Sequence, residues 1–470
     1  LENIASSDGS RSAWVFALNH ALSDQKSVNT MVSDLLTVLD VRADNPTASS
    51  NSYSGTKSNS SSTDSSGSNE STGVDDRSKK GLKTHNRHSY TLRPSIESVV
   101  APEPPNIGTI LWALYQLGNS LTSPRVLSQR WRQALKLQPE LLSPSTSMSL
   151  HANCRATFTR TFTLSEDITK KFIAACSRQK VTVTHALSAS VLVLTSFLLQ
   201  DCLLDSSSPP ADNGSGGSGN ISDVKDVWLR FLLSVSLRPF ASLSYNGTEN
   251  TIDSLLPRIN RRDNDWAQNT VACAAGALDY NICVPSSLAD AFFVALSAPL
   301  RPLTPEESAT YWSHARTCQR ISHRLINECS FVPESVRLFG IGMSLPGVDI
   351  LQAVELEANN PTTLGRGYSC GVSNAGIADF RGNSSSSSTS DSGPSSGTST
   401  NYGRKGNLQV DRAFFGVSHG RNGVSALLSC MTVHGRLNSC LQFTTPLTSS
   451  VEAERCVNLL VSFLSRLAQS

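Results

Sequence analysis

Charge is scarce in this 470-residue chain, and what there is nearly cancels: only 17% of residues are charged, with 40 Lys plus Arg against 38 Asp plus Glu. A formal charge of +2 gives no electrostatic case for a nucleic-acid or anionic-membrane partner. Long apolar runs are missing as well. The best, residues 186–199, is interrupted by Ser188, Ser190, Thr195 and Ser196 and falls short of the roughly 18 apolar residues that span a bilayer. No Cys-x-x-Cys pair occurs among the eleven scattered cysteines, an odd number that reads as reduced, mostly buried thiols of a cytoplasmic protein. There is no phosphate-cradling G-x-x-x-x-G-K-[ST], and Gly340-Ile-Gly342 lacks the third glycine of a dinucleotide loop. Because the sequence starts at Leu1 without methionine, further residues are expected ahead of it.

Serine is what the chain has in excess. Half of residues 49–72 are serine, and residues 206–220 and 383–400 are again Ser, Gly, Pro and Asn. Such stretches cannot bury enough apolar surface to offset backbone ordering, so inserts are expected over 45–86, 203–222 and 383–405. Between them, strand and helix signals alternate. Ser12 to Leu18 is a short apolar run, and Val28, Met31, Val32, Leu35, Leu36 and Leu39 then form a helical stripe. Thr157 to Leu164 alternates like a half-buried strand, and Ser165 is placed to cap a helix running to Arg178. Thr184 to Leu199 predicts a buried helix, Val227 to Leu237 a buried strand, and Glu306 to Asn327 a polar-rich helix. A glycine-punctuated meander over 413–418, 424–433 and 437–443 precedes a closing amphipathic helix over 451–467. The alternation predicts an α/β layered fold.

His20-Ala-Leu-Ser-Asp24 follows an apolar strand and precedes an amphipathic helix. A histidine at a strand end is held by rigid backbone and can take and return a proton near neutral pH, which suits a general base. Nine histidines make the spacing unspecific by itself. Gly367-Tyr-Ser369-Cys-Gly371 and Gly416-Val-Ser418-His-Gly420 both match G-x-S-x-G, the nucleophile elbow of serine esterases. Neither is followed by a convincing helix start, which favours serines in turns. His314, Cys318 and His323 share one predicted helix, but the third lies opposite the first, so no metal site is expected. His185, on the buried helix, reads as a core histidine, and Tyr311-Trp312 as packing anchors.

The order of these features carries more than any one of them. The strand, His20-x-x-x-Asp24 and its helix are followed by Val235-Ser-Leu-Arg-Pro239, then by Cys370-Gly-Val-Ser-Asn-Ala-Gly376, a glycine-turned strand pair and a last helix. In this order the chain resembles the CoA-dependent acyltransferase superfamily, which includes chloramphenicol acetyltransferase, plant acyltransferases and peptide-synthetase condensation domains. Within it, the fungal alcohol O-acetyltransferases are the nearest resemblance. The resemblance spans roughly residues 13–40 and 90–470 outside the inserts, and it implies a two-lobed α/β fold with mixed sheets. His20 would be the general base, and Asp24 would point away from the substrate to Arg238 as structural support. Ser373, Asn374 and Gly376 would line the acyl region. Acyl-CoA, most simply acetyl-CoA, would be a co-substrate, the acceptor an alcohol or amine, and the protein a monomer without a metal.

Departures from the pattern are Gln25 where a glycine is common, Asn19 where condensation domains carry a second histidine, and the absence of D-F-G-W-G. The motif also begins unusually early, which implies a truncated N-terminal lobe over 1–164 ahead of a C-terminal lobe over 165–470. A non-catalytic, binding relative is the alternative reading, and a serine esterase the third.

The inserts give the first test. Deleting Ser49–Thr72 or Ser384–Ser399 should leave the melting temperature nearly unchanged, because loop closure costs grow only logarithmically with length. A large drop by calorimetry would show that structured sequence was removed.

Overall fold

The computed structural model describes residues 2–5, 12–15, 155–206, 226–240, 275–289, 302–327, 331–344, 349–360, 363–378, 380, 410–445 and 447–470, with further helical positions within 28–36 and 107–114. His20, Asp24 and the three expected inserts, apart from residues 203–206, lie outside these residues.

The chain order is β1 (Glu2–Ala5), β2 (Ser12–Val15), β3 (Ala156–Thr163), α1 (Glu166–Arg178), α2 (Val183–Ser206), β4 (Val227–Ser236), β5 (Ala275–Val284), α3 (Pro305–Asn327), α4 (Phe331–Ser344), α5 (Ile350–Ala358), β6 (Arg366–Ile377), β7 (Gly423–Val433), β8 (Arg436–Thr445) and α6 (Ser450–Leu467). β1 and β2 form an antiparallel pair, while the other strands form one mixed sheet in the order β3-β8-β7-β6-β4-β5. β6 runs parallel to both β4 and β7, and the other neighbours are antiparallel. The α/β class with a mixed sheet is therefore as expected. β3, on the N-terminal side of the expected division at 164/165, pairs along its whole length with β8 and belongs to this sheet.

Local chemistry accounts for several element ends. Ser165 Oγ accepts the Ile168 amide, Glu166 and Asp167 occupy the first turn of α1, and each pairs with a lysine four residues on, at 2.7 and 2.8 Å. Ser449 and Asp349 cap α6 and α5 in the same way. His434 and Gly435, both with positive φ, make the two-residue turn that joins β7 to β8. Residues 413–418, expected as a strand, form no regular element; Ala413 and Phe415 instead pack over Met431 and Val433 as a cover on the sheet.

The main core lies between the sheet and helices α1, α2, α3 and α6. Tyr311 and Trp312 sit fully buried in it, as anchors, with the Tyr311 hydroxyl at 2.7 Å from the Ala186 carbonyl and its ring edge-on to Phe463. Seven described cysteines are unpaired, and six of these are buried. Burial pushes the thiols up, to about 12 for Cys176, Cys370 and Cys430, so they stay protonated and inert. Among the described residues no single helix is long and apolar enough to cross a membrane; α1 and the apolar part of α2 pass only as a pair bent by 100°.

Two arginines, buried Arg155 and half-buried Arg366, fasten loops to the sheet through carbonyl oxygens. Arg366 donates to the carbonyls of His419 (2.7 Å), Gly420 (3.0 Å) and Val424 (3.0 Å) and to Thr444 Oγ1 (2.8 Å). Arg155 donates to the carbonyls of Ala358 (2.9 Å) and Leu364 (2.5 Å). Burial, with the neighbouring Arg155 charge, brings Arg366 down to about 10, which still leaves it charged at neutral pH.

His185, His314 and His419 are each buried, and burial lowers all three to about 4. The folded chain thus keeps them neutral while the unfolded chain protonates them near 6.5. Stability should be full above pH 6.5 and fall as pH drops from there towards 4, by up to about 3 kcal/mol per histidine. Urea unfolding at pH 7.5 and pH 5 measures the fall; His314→Phe should flatten it, and an unchanged slope would show that His314 does not contribute.

Candidate functional site

Of the residues the resemblance singles out, the described ones, Arg238, Ser373, Asn374 and Gly376, lie at one end of the sheet. β4, β6 and β7 are parallel, so their carboxyl ends point the same way, and ligands of α/β sheets commonly bind outside such ends. Phe231, Leu232 and Leu233 lie beside Cys370, Gly371 and Val372; continuing that register sets Val235 beside Asn374. Arg238, buried at 3% exposure, follows two residues after β4 ends. Ser373, Asn374 and Gly376 occupy the last turn of pleat in β6, where burial gives way to exposure. The structure therefore brings Arg238 and the Ser-Asn-Ala-Gly segment to one end of neighbouring strands, although they are far apart in sequence.

Asn374 has a defined task there. Its Nδ2 donates to Thr184 Oγ1 at 3.0 Å, and its Oδ1 accepts the Gly376 amide at 2.9 Å. The first bond ties the end of β6 to the first turn of α2; the second closes a tight turn in which Gly376 has φ +75°. Only glycine enters that region without cost, and a β-bulge between Asn374 and Ile377 accompanies it. Gly371 is required for another reason: a Cβ there would lie 2.8 Å from the Leu232 carbonyl oxygen on β4.

The first turn of α2 supplies polar groups that sequence reasoning passed over. Thr182 Oγ1 accepts the His185 amide and lies 2.7 Å from His185 Nδ1. His185 Nε2 is buried and has no partner among the described residues, which satisfy the ring at one nitrogen only. The ring of exposed His323 stands edge-on at 5.8 Å and adds to burial in keeping His185 neutral. The signal available in the sequence was Thr182-Val-Thr184 directly ahead of an apolar helix, a capping pattern with a second hydroxyl behind it.

The helix into which His20-x-x-x-Asp24 leads is docked close by. Positions 28, 29, 31, 32, 35 and 36 are helical. Val32 and Leu36 pack, together with Ala375, against the buried cluster of Ala378, Phe380, Met431 and Val433 at the ends of β6 and β7.

The esterase residues fare differently. Ser369 is buried within the central strand, not on a strand-to-helix turn, and its Oγ accepts the Arg230 amide at 3.0 Å. Ser418 precedes a strand, β7. His314 and Cys318 are buried in α3 while His323 is exposed, and no group of His, Cys, Asp and Glu able to hold a metal occurs among the described residues.

Thr184 and Asn374 form a pair whose coupling can be measured. Thr184→Val and Asn374→Ala should each destabilise by about 1 kcal/mol, and the double variant by less than their sum. Strict additivity in denaturant unfolding would mean that the bond between them contributes nothing.

No family model matches the chain, and no curated protein sequence matches it. Among solved structures, trichothecene 15-O-acetyltransferase TRI3 from Fusarium sporotrichioides is similar over 71% of this chain and 53% of its own, at 11% identity and a TM-score of 0.36. The first condensation domain of the calcium-dependent antibiotic synthetase is similar over 96% of this chain and 63% of its own, at 11% identity and a TM-score of 0.36. Polyketide synthase associated protein 5 from Mycobacterium tuberculosis is similar over 67% and 51%, at 13% identity and a TM-score of 0.33. The chain thus spans about half to two thirds of the length of these proteins.

Proposed function

We propose that this chain is an acyl-CoA-dependent acyltransferase that moves an acyl group, most simply acetyl, to an alcohol hydroxyl. The observation that carries the reading is the meeting of three separated segments at the carboxyl ends of β4, β6 and β7. Arg238, Ser373-Asn374-Ala-Gly376 and the helix packed through Val32 and Leu36 all converge there. In sequence that helix follows His20-x-x-x-Asp24, which supports a reading in which the candidate base serves the same end of the sheet as the candidate acyl-lining segment.

In this reading His20 takes the proton of the acceptor hydroxyl, and the oxygen attacks the thioester carbonyl carbon. The tetrahedral oxyanion is held by positioned donors; one Asn374 N–H is committed to Thr184, which fixes the amide and leaves its second N–H for a ligand. The carbon–sulfur bond then breaks, and His20 returns the proton to the departing CoA thiolate. No acyl-enzyme forms. Asp24 acts through position: a buried carboxylate needs a cationic partner, and the planar fork of buried Arg238 suits it.

Release of free CoA thiol from acetyl-CoA, measured over a panel of alcohols, tests the reading. His20→Ala should lower turnover roughly 10²–10⁴-fold with little change in acetyl-CoA affinity. Asp24→Ala and Arg238→Ala should each destabilise by about 3–5 kcal/mol, and the double variant should be no worse than the worse single one. Acetyl-CoA binding without thiol release in the unmodified chain would favour the non-catalytic alternative. An unchanged rate in His20→Ala would remove the central claim.

A further inference from the structure

β3 is an edge strand, and its sequence reads the same in both directions about Arg160: Thr157-Phe-Thr-Arg160-Thr-Phe-Thr163. Its backbone polarity is fixed by β8. The Leu164 amide donates to the Leu437 carbonyl in the register of this pair, so residues of even number turn their backbone groups towards β8. Thr157, Thr159, Thr161 and Thr163 therefore turn theirs outward. Among the described residues no strand pairs with that edge. Among the described residues the Thr159 carbonyl there accepts only from the Arg160 guanidinium of its own strand, at 3.2 Å. An uncovered row of donors and acceptors is a template for another strand.

We propose that a second copy of this chain pairs with β3 about a two-fold axis through Arg160, joining two sheets into one. A strand meets its own copy antiparallel, and only a palindromic sequence then puts like with like at every position. With Arg160 opposite its mate, Thr159 faces Thr161 and Thr157 faces Thr163 of the other copy, and these are the residues whose backbone groups are outward and can exchange hydrogen bonds. Phe158 faces Phe162 in the closer, non-hydrogen-bonded type of pair, where aromatic side chains meet best. Threonine and phenylalanine pairs of this kind each contribute favourably.

Two arginines on the axis would repel one another if they stood alone. Each already has a carboxylate at hand, since Arg160 Nε lies 3.3 Å from Glu454 on α6, with both side chains partly exposed. Around the axis the two pairs form a ring of alternating charge, so repulsion becomes complementarity. Beside them a surface groove of about 600 Å³, lined by Arg160, Val451, Glu454, Asn458 and Leu459, includes an apolar residue, Val451, that is 77% exposed. The copy of α6 would lie across the same axis and shield it. This departs from the monomer expected from sequence, because periodicity shows a strand but not whether it lies at an edge.

Light scattering on the whole chain at tens of micromolar should give the mass of two chains. Thr161→Pro removes an outward N–H that β8 does not use, and Arg160→Glu sets like charges beside Glu454; each should weaken the dimer roughly tenfold or more while the helical signal persists. Arg160→Cys should form a disulfide with its own copy under mild oxidation, above the background of the native cysteines, whereas Thr159→Cys, whose opposite number is residue 161, should not. A single-chain mass overturns the proposal, and so does a dimer untouched by both substitutions or equal cross-linking at 159 and 160. A monomer whose outward β3 amides resist hydrogen exchange also overturns it, and would mean that another segment of the chain covers the edge.

Discussion

The rest of the structure depends on β6 being held between two parallel neighbours. Parallel strands cannot be joined by a hairpin; each needs a crossover, so residues from distant parts of the chain arrive at the same end of the sheet. Gly371 permits the close approach of β6 to the Leu232 carbonyl. From that contact follow the level of Asn374, the position of Arg238 beyond β4 and the seat of Val32 and Leu36 at the strand ends. Apolar α2 then packs beneath β6 and offers Thr184 to Asn374, which ties the sheet end to a rigid helix rather than to a loop.

The interior handles charge in two ways. Arg155 and Arg366 are solvated by backbone carbonyls and fasten loops, a task that needs hydrogen-bond donors in a fixed fork more than it needs a counter-ion. The buried histidines avoid charge altogether, because burial penalises the imidazolium, and at His419 the nearby Arg366 charge adds to that penalty. His185 therefore enters the fold as a neutral hydrogen-bonding group at the start of α2.

The two surfaces with functional interest are also separated by the sheet itself. β3 stands three strands from β6, about 14 Å at the usual spacing, and its outward edge faces away from the carboxyl ends of the parallel strands. A partner on β3 would leave the neighbourhood of Asn374 and Arg238 open to ligands.

Sequence alone was enough for elements whose signal is local. The cap at Ser165, the alternation of β3, the all-round apolar α2, the hairpin of β7 and β8 and the stripe of α6 each follow from residues within a turn or two of one another. The capping threonines of α2 were equally legible, once a cap was looked for. By contrast, β6 reads as a glycine-rich turn with an esterase-like serine, because its glycines answer to β4 and to a left-handed bend, not to local propensity. Residues 413–418 read as a strand, yet β6 occupies the place beside β7, so they cover the sheet face instead. Pairing order, burial of Arg238, the bond from Asn374 to Thr184 and the edge position of β3 among the described strands were decided only by tertiary structure. Each depends on which distant segment competes for the same hydrogen bonds and apolar surface, and no periodicity within one segment carries that information.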